Sequence, residues 1–281
     1  MSTGDLGALL ITLREGFEMT LVVGIVLAYL AQTGTMRAAR WVWAGAGAAT
    51  AVSLAFLGVL NALDAEFQGA TEQIFEGVTM LLAATFLTWM IFWMLRNART
   101  LRSELHRGVE NALARGGAAW GLFLLVFFAV VREGVELALL LFAAPGQGKL
   151  LGTVIGLAAA LGLGVVIYAF GRRIDLRSFF RVTTILLILF AAGLVTHGVH
   201  EFVEAGAIAG GPELFDLSGV LPDDEGLGAL LRALLGYSAD PTLIEGIAYV
   251  GYYAAALILW RTGIIGRIAA PKPTPSTRSA A

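Results

Sequence analysis

The 281 residues contain no cysteine, which excludes disulfides, thiolate metal sites and cysteine nucleophiles and leaves no redox compartment to be read. Histidine is nearly missing as well, at three, and only 14% of residues are charged, against about a quarter in a soluble domain. No GxxxxGK(S/T) run is present to cradle a nucleotide, and no soluble stretch is long enough to hold such a site. An intramembrane metal hydrolase of the zincin type would need His-Glu-x-x-His, but His200-Glu201 leads to Glu204 instead of a second histidine. No enzymatic activity and no cofactor are therefore expected. Met1 to Asp5 lack a basic start, so the first apolar run is expected to be a retained helix rather than a cleaved signal peptide.

What the chain has is apolar length. It is 58% hydrophobic with a mean hydropathy of +0.79, and a hydrocarbon core of about 30 Å needs roughly 20 apolar residues per helix. Seven stretches qualify, at about 6–30, 40–60, 74–95, 119–143, 150–170, 182–204 and 243–265. The expectation is an all-α polytopic membrane protein with seven transmembrane helices, a permease domain over 1–270 and a disordered cytoplasmic tail over 271–281. Of the 19 basic residues, only Lys149 and Arg232 fall in loops on the acidic side, and Arg14 and Arg132 lie within spans. The remaining 15 share the other side, so the positive-inside rule puts the N-terminus outside and the C-terminus in the cytoplasm. The acids agree, with Asp5, Asp64, Glu66, Glu72, Glu213, Asp216, Asp223, Asp224, Glu225 and Asp240 all on the external side. All six tryptophans fall near cytoplasmic span ends, where amphipathic rings favour the headgroup layer.

Against that background, Arg14-Glu15-Gly16-Phe17-Glu18 and Arg132-Glu133-Gly134-Val135-Glu136 stand out. Each puts charge inside an apolar run, where an ionised group costs about 2.5–3.5 kcal/mol on insertion scales, so two copies imply a task that needs them. The copies lie on spans of opposite direction, 118 residues apart (132 − 14). This spacing predicts an inverted repeat, with spans one to three (about 6–95) matched to four to six (about 119–204) and the seventh (about 243–265) added. Within each copy the glutamates are three residues apart and arginine precedes the second by four, so all three share a helix face. Glu15, Glu18, Glu133 and Glu136 would offer up to eight carboxylate oxygens to a hard cation, with Arg14 and Arg132 limiting their repulsion. The alternative for one copy alone is a buried ion pair that joins helices. Gly16 and Gly134 allow close helix approach.

Further polar residues gather toward the expected external side. His197, His200, Glu201 and Glu204 form one stripe on the sixth span, the third begins with Glu72 and Glu76, and the seventh begins with Glu245. An acidic mouth there would concentrate cations before they reach the deeper glutamates. The blander readings are interfacial residues for Glu72, Glu204 and Glu245 and a hydrogen-bond network for the His/Glu stripe. The run from Thr88 to Met94 reads as an interfacial belt rather than a methionine metal site, because Arg96 and Arg99 follow it. Gly152 and Gly156 have GxxxG spacing, which fits contacts within the chain or between copies and leaves a homo-oligomer open. The segment from about 205 to 242 is long enough to hold short helices or dock a partner.

These residues carry a resemblance. The paired Arg-Glu-Gly-x-Glu, Phe75-Glu76-Gly77 leading to Leu87-Thr88-Trp89-Met90, His200-Glu201-Phe202-x-Glu204-Ala205-Gly206 and Pro241-Thr242-Leu243-x-Glu245 are similar to the high-affinity iron permease family of fungi and bacteria. Phe17 and Val135 depart from the leucine usual in that pattern. The resemblance implies import of ferric iron (Fe3+) across a plasma membrane as transported substrate, with Glu15, Glu18, Glu133 and Glu136 contacting it. It also implies an extracytoplasmic iron-delivering or iron-oxidising protein as partner, beside the membrane lipid itself; no nucleic acid is expected. With 17 arginines to two lysines (19 − 2 = 17), a bacterial inner membrane is favoured. Another cation, ferrous iron, lead or manganese, is the alternative, because carboxylates alone do not set valence.

Overall fold

A computed structural model of the protein describes residues 3–97, 107–109, 118–144, 148–170, 176–223 and 226–262. The expected disordered tail at 271–281, the end of the seventh span beyond Thr262, and the loop arginines Arg99, Arg102, Arg115, Arg172 and Arg173 lie outside the described residues. The chain is helical: α1 Thr3–Gln32, α2 Ala39–Glu66, α3 Ala70–Asn97, α4 Ala118–Ala143, α5 Leu150–Phe170, α6 Leu176–Glu204, α7 Gly226–Leu235 and α8 Leu243–Thr262. Among the described residues, extended pairing is limited to an isolated bridge between Glu213 and Thr242.

Long apolar helices end where backbone geometry stops them. Gly34, at φ 70°, ends α1, with Thr35 N–H bonded to Leu30 O and Gly34 N–H to Ala31 O. Gly206, at φ 69°, ends α6 in the same way through Val203 O and Phe202 O. Both are C-terminal caps that need a left-handed residue, which only glycine adopts without strain. Among the described residues, four helices are long and apolar enough to cross a membrane by length and composition: Met36–Glu66, Ala70–Met94, Val182–Glu204 and Leu243–Thr262. α1 and α4 have the length but carry Arg14, Glu15 and Glu18, and Arg132, Glu133 and Glu136, in mid-helix.

Glycine seams set which helices touch and in which direction. α1 and α5 run parallel: a Cβ at Gly152 would collide with Asp5, one at Gly156 would stand 2.7 Å from Leu9 O, and one at Gly16 would stand 3.1 Å from Ala160. The GxxxG pair therefore serves a contact within the chain, and Asp5 Oδ1 accepts a bond from Gly152 N–H at 2.9 Å near the start of α5. α2 and α4 are parallel as well, joined where Gly45 meets Phe123 and Gly134 meets Ser53. α3 and α6 cross antiparallel at Gly77 and Gly198, each facing the other's backbone carbonyl. α8 packs on α6. α7 falls within the long segment between α6 and α8, which was expected to hold short helices.

Two buried apolar clusters result. One holds Ile11, Ala83, Leu87, Leu140, Ala143 and Leu194. The other holds Val26, Leu30, Val42, Leu122, Val126 and Val130. Because Ile11 shares a cluster with Leu140 while Val26 and Leu30 share one with Leu122 and Val126, α1 and α4 are antiparallel. Both pentapeptides sit between the two clusters.

Candidate metal centre

The antiparallel crossing of α1 and α4 brings the two pentapeptides face to face. Glu15, Glu133 and Glu136 each present one carboxylate oxygen, and these oxygens lie within 4.8 Å of one another. All three residues are buried, at 0%, 8% and 1% exposure. On each, Oε2 is enclosed by protein without a hydrogen-bond partner. A buried carboxylate oxygen left unpaired is costly, and a cation bound between these three carboxylates would offset that cost. The donor set is all oxygen, which matches a metal ion held by carboxylates.

The fourth glutamate is set differently. Glu18 pairs with Arg14 Nη2 at 3.0 Å and lies outside the triplet. Arg14 is wholly buried; its Nη1 bonds Glu15 Oε1, and its Nη2 also reaches Met90 Sδ at 3.0 Å and Met94 Sδ at 3.4 Å. Arg132 donates from Nε to Glu136 Oε1 at 3.0 Å and lies 3.8 Å from Glu133. Its guanidinium carbon sits 4.7 Å from the centre of the Trp93 ring, a cation–π geometry. Both arginines are thus held by one stretch of α3.

That stretch was read from sequence as a membrane-surface belt, and the structure corrects the reading. Met90, Ile91, Phe92 and Met94 are buried, and only Trp89, at 45% exposure, faces outward. Met90 and Met94 are four residues apart, so they share a helix stripe, and α3 turns that stripe toward Arg14. Methionine spacing carried the signal; the flanking arginines and tryptophans masked it.

The remaining candidates gather at the other end of α3, α6 and α8, beyond the Ile11/Leu87/Leu140 cluster. Gln73 bonds Glu204 Oε2 at 3.1 Å, His200 Nε2 lies 3.4 Å from Glu204 Oε1, and a Cβ at Gly77 would stand 3.2 Å from Glu201 Cβ. Glu72 is exposed and Glu76 half-buried. His197 is committed elsewhere: its Nδ1–H donates to Gly193 O at 2.9 Å, and its Nε2 accepts from Arg232 Nε at 3.3 Å. With both ring nitrogens engaged, it fits the hydrogen-bond-network alternative rather than a cation path. Glu245, 2% exposed, is engaged too, through Oε1 to His200 Nδ1 at 2.9 Å and Oε2 to Thr242 N–H at 3.3 Å. The second bond, reaching back from the third helical position to the backbone N–H of the residue just before the helix, supplies one half of a capping box on α8.

Two further residues at this mouth were sorted to the external side from sequence without being assigned to the entry. Asp64, near the end of α2, and Lys149, before α5, both interact with Glu76. Lys149 donates to Leu141 O at 2.9 Å and Phe142 O at 3.1 Å, capping the end of α4. Burial lowers its pKa from the ordinary lysine value, against the raising effect of Glu76 and Asp64.

Long apolar helices around a buried carboxylate triplet, balanced by two arginines, are the architecture of a helical membrane protein. The chain belongs to the iron permease FTR1 family, whose model matches residues 5–267. It is 36% identical over 258 residues to the ferrous iron permease EfeU of Escherichia coli O6:H1 (strain CFT073), covering 89% of this chain and 92% of that one. It is 35% identical over 257 residues to the ferrous iron permease EfeU of Yersinia pestis, covering 89% and 91%. A third relative, from Escherichia coli K12, is 36% identical over 255 residues and is described as a putative inactive ferrous iron permease EfeU. No solved structure matches.

Proposed function

We propose that the protein imports iron across a bacterial inner membrane, through a site made by Glu15, Glu133 and Glu136 with Glu18 beside it. The observation that carries the reading is the convergence of three buried, half-unpaired carboxylates from antiparallel helices. Family membership supplies the cargo.

The path runs from Glu72, Glu76, Glu201 and Glu204, past the Ile11/Leu87/Leu140 layer, to the triplet and then past Val26, Leu30, Leu122 and Val126. Seven membrane-spanning helices, α1 to α6 and α8, with the mouth external and the C-terminus cytoplasmic, complete the arrangement. An inverted repeat relating α1–α3 to α4–α6 is supported by the exchanged pairing, α1 on α5 and α2 on α4, with α3 on α6. Rocking of one half against the other would open each apolar layer in turn.

Valence is where two readings meet. The resemblance led to Fe3+, and an all-oxygen set suits a hard ion. Charge balance favours Fe2+: four carboxylates and two guanidinium groups sum to −2, and a divalent ion makes the buried cluster neutral, whereas a trivalent one leaves excess charge in a low-dielectric interior. The curated relatives are named for ferrous iron. At 100 mV, inside negative, a divalent ion would gain about 4.6 kcal/mol on full passage. An iron-delivering or iron-oxidising partner at the mouth is a proposal, to which Leu214, Phe215 and Val220 offer exposed apolar surface.

The test is radiolabelled iron uptake into proteoliposomes, supplied as Fe2+ under ascorbate or as ferric citrate. Glu15→Gln with Glu133→Gln is expected to abolish uptake at unchanged membrane level; normal uptake in that double variant refutes the site. Faster uptake from ferric citrate than from ascorbate would reject the ferrous reading.

A further inference from the structure

Two sulfur atoms meet one guanidinium nitrogen in this interior. Met90 and Met94 are 1% and 8% exposed, and both thioethers point at Arg14 Nη2, at 3.0 and 3.4 Å. Leucine would fill the same space in an apolar core, and a thioether is a weak hydrogen-bond acceptor. The two sulfurs serve as weak acceptors for a buried guanidinium, and they also bring two soft donor atoms to the edge of the carboxylate cluster. The same guanidinium bonds Glu15 through Nη1, while its buried Nε lacks a hydrogen-bond partner. Arg14 thus occupies the position of a positive charge held between two soft donors and the carboxylate triplet.

An ion arriving at Glu15 competes for the oxygen that Arg14 holds and repels the guanidinium. Glu18, already paired with Nη2 at 3.0 Å one turn along α1, keeps Arg14 neutralised as it withdraws. Withdrawal uncovers the two sulfurs toward the ion. We propose that Met90 and Met94 then supply thioether ligands that complete a mixed oxygen–sulfur subsite and bias it toward Fe2+ over harder divalent ions such as Mn2+. Thioethers favour softer metal ions, and Fe2+ stands above Mn2+ in intrinsic affinity for a given ligand set. The inference rests on the proposed triplet being the iron site.

Proteoliposomes carrying the full chain with Met90→Leu and Met94→Leu, singly and together, would be assayed for Fe2+ and Mn2+ uptake under reducing conditions. The double variant is expected to lower the Fe2+ to Mn2+ uptake ratio about tenfold, through a larger fall for Fe2+ than for Mn2+. X-ray absorption at the iron edge on Fe2+-loaded protein is expected to contain a sulfur shell that the double variant loses. An unchanged ratio, a parallel fall for both ions, or no sulfur shell in the parent protein overturns the proposal. Membrane level and thermal unfolding of the leucine variants control for folding. The two hypotheses fail separately: uptake that survives Glu15→Gln with Glu133→Gln rejects the site itself, whereas a lost site with an unmoved ion ratio rejects only the sulfur ligands.

Discussion

Arg14 and Arg132 open the same five-residue pattern, yet the side chain of Arg14 is 1% exposed and that of Arg132 is 38% exposed. Arg14 is enclosed by Glu15, Glu18 and two methionine sulfurs; Arg132 lies across Trp93 and reaches Glu136 from a partly open position. The glutamates differ in step. The second copy contributes both of its carboxylates to the triplet, whereas the first contributes Glu15 and uses Glu18 to hold its arginine. The source of the inequality is α3, which lends residues to both arginines. A duplicated motif therefore yields one counter-charge enclosed among carboxylates and sulfurs and one at a partly open edge, a division that identical copies in identical surroundings would lack.

The largest expected consequence is in stability. Arg14→Ala would strand Glu15 and part of Glu18 in the interior, and removing one partner of a buried pair costs about 3–5 kcal/mol. Arg132→Ala leaves Glu136 short of one bond beside a partly open edge, at about 1–3 kcal/mol. Thermal unfolding of the detergent-solubilised proteins, metal-free, compares the two. Equal losses would remove the inequality between the copies.

Transport separates the glutamates next. Glu136→Gln removes a triplet oxygen and is expected to lower iron uptake about 100-fold, whereas Glu18→Gln, acting through Arg14, is expected to lower it about tenfold. Initial rates at saturating and limiting iron check this. A loss for Glu18→Gln as deep as that for Glu136→Gln would place all four carboxylates on the ion and return the site to the symmetric form suggested by the sequence.

Much of this arrangement was legible in the sequence because the bilayer filters composition so strongly. Apolar runs located the helices to within several residues, and charges inside them picked out Glu15, Glu18, Glu133 and Glu136, of which the structure brings the first, third and fourth together. The misses share a physical cause. Helix ends tolerate polar residues, so α2 runs on to Glu66 and α3 begins at Ala70, past the apolar stretches. Roles that depend on which way a helix is turned could not be read from residue type: Met90 and Met94 read as part of an interfacial belt, and Glu245 and His197 as part of an acidic entry, until packing showed their partners. The GxxxG pair was ambiguous for the same reason, since spacing names a close contact but not the helix that makes it.

The smallest effect concerns the glycines between the paired acids. A Cβ at Gly134 would meet Ser53 Cβ at 2.9 Å, with Ser53 Oγ closer still and tied to Ala49 O at 2.9 Å. Serine has no flexible length to yield, so α2 itself must move. A Cβ at Gly16 would meet only Ala160 Cβ, at 3.1 Å, and Leu157 Cδ1, at 3.5 Å. Replacing a helical glycine by alanine also gains about 1 kcal/mol of helix propensity. Overpacking costs about 1–3 kcal/mol, so Gly134→Ala is expected to be destabilised by about 1 kcal/mol net, while Gly16→Ala stays close to neutral. Unfolding midpoints of the two variants measure the difference. If Gly16→Ala proved the more damaging, the backbone beside Glu15 rather than that beside Glu133 would be the more closely confined, and the second copy of the motif would lose its claim to the more rigid backbone.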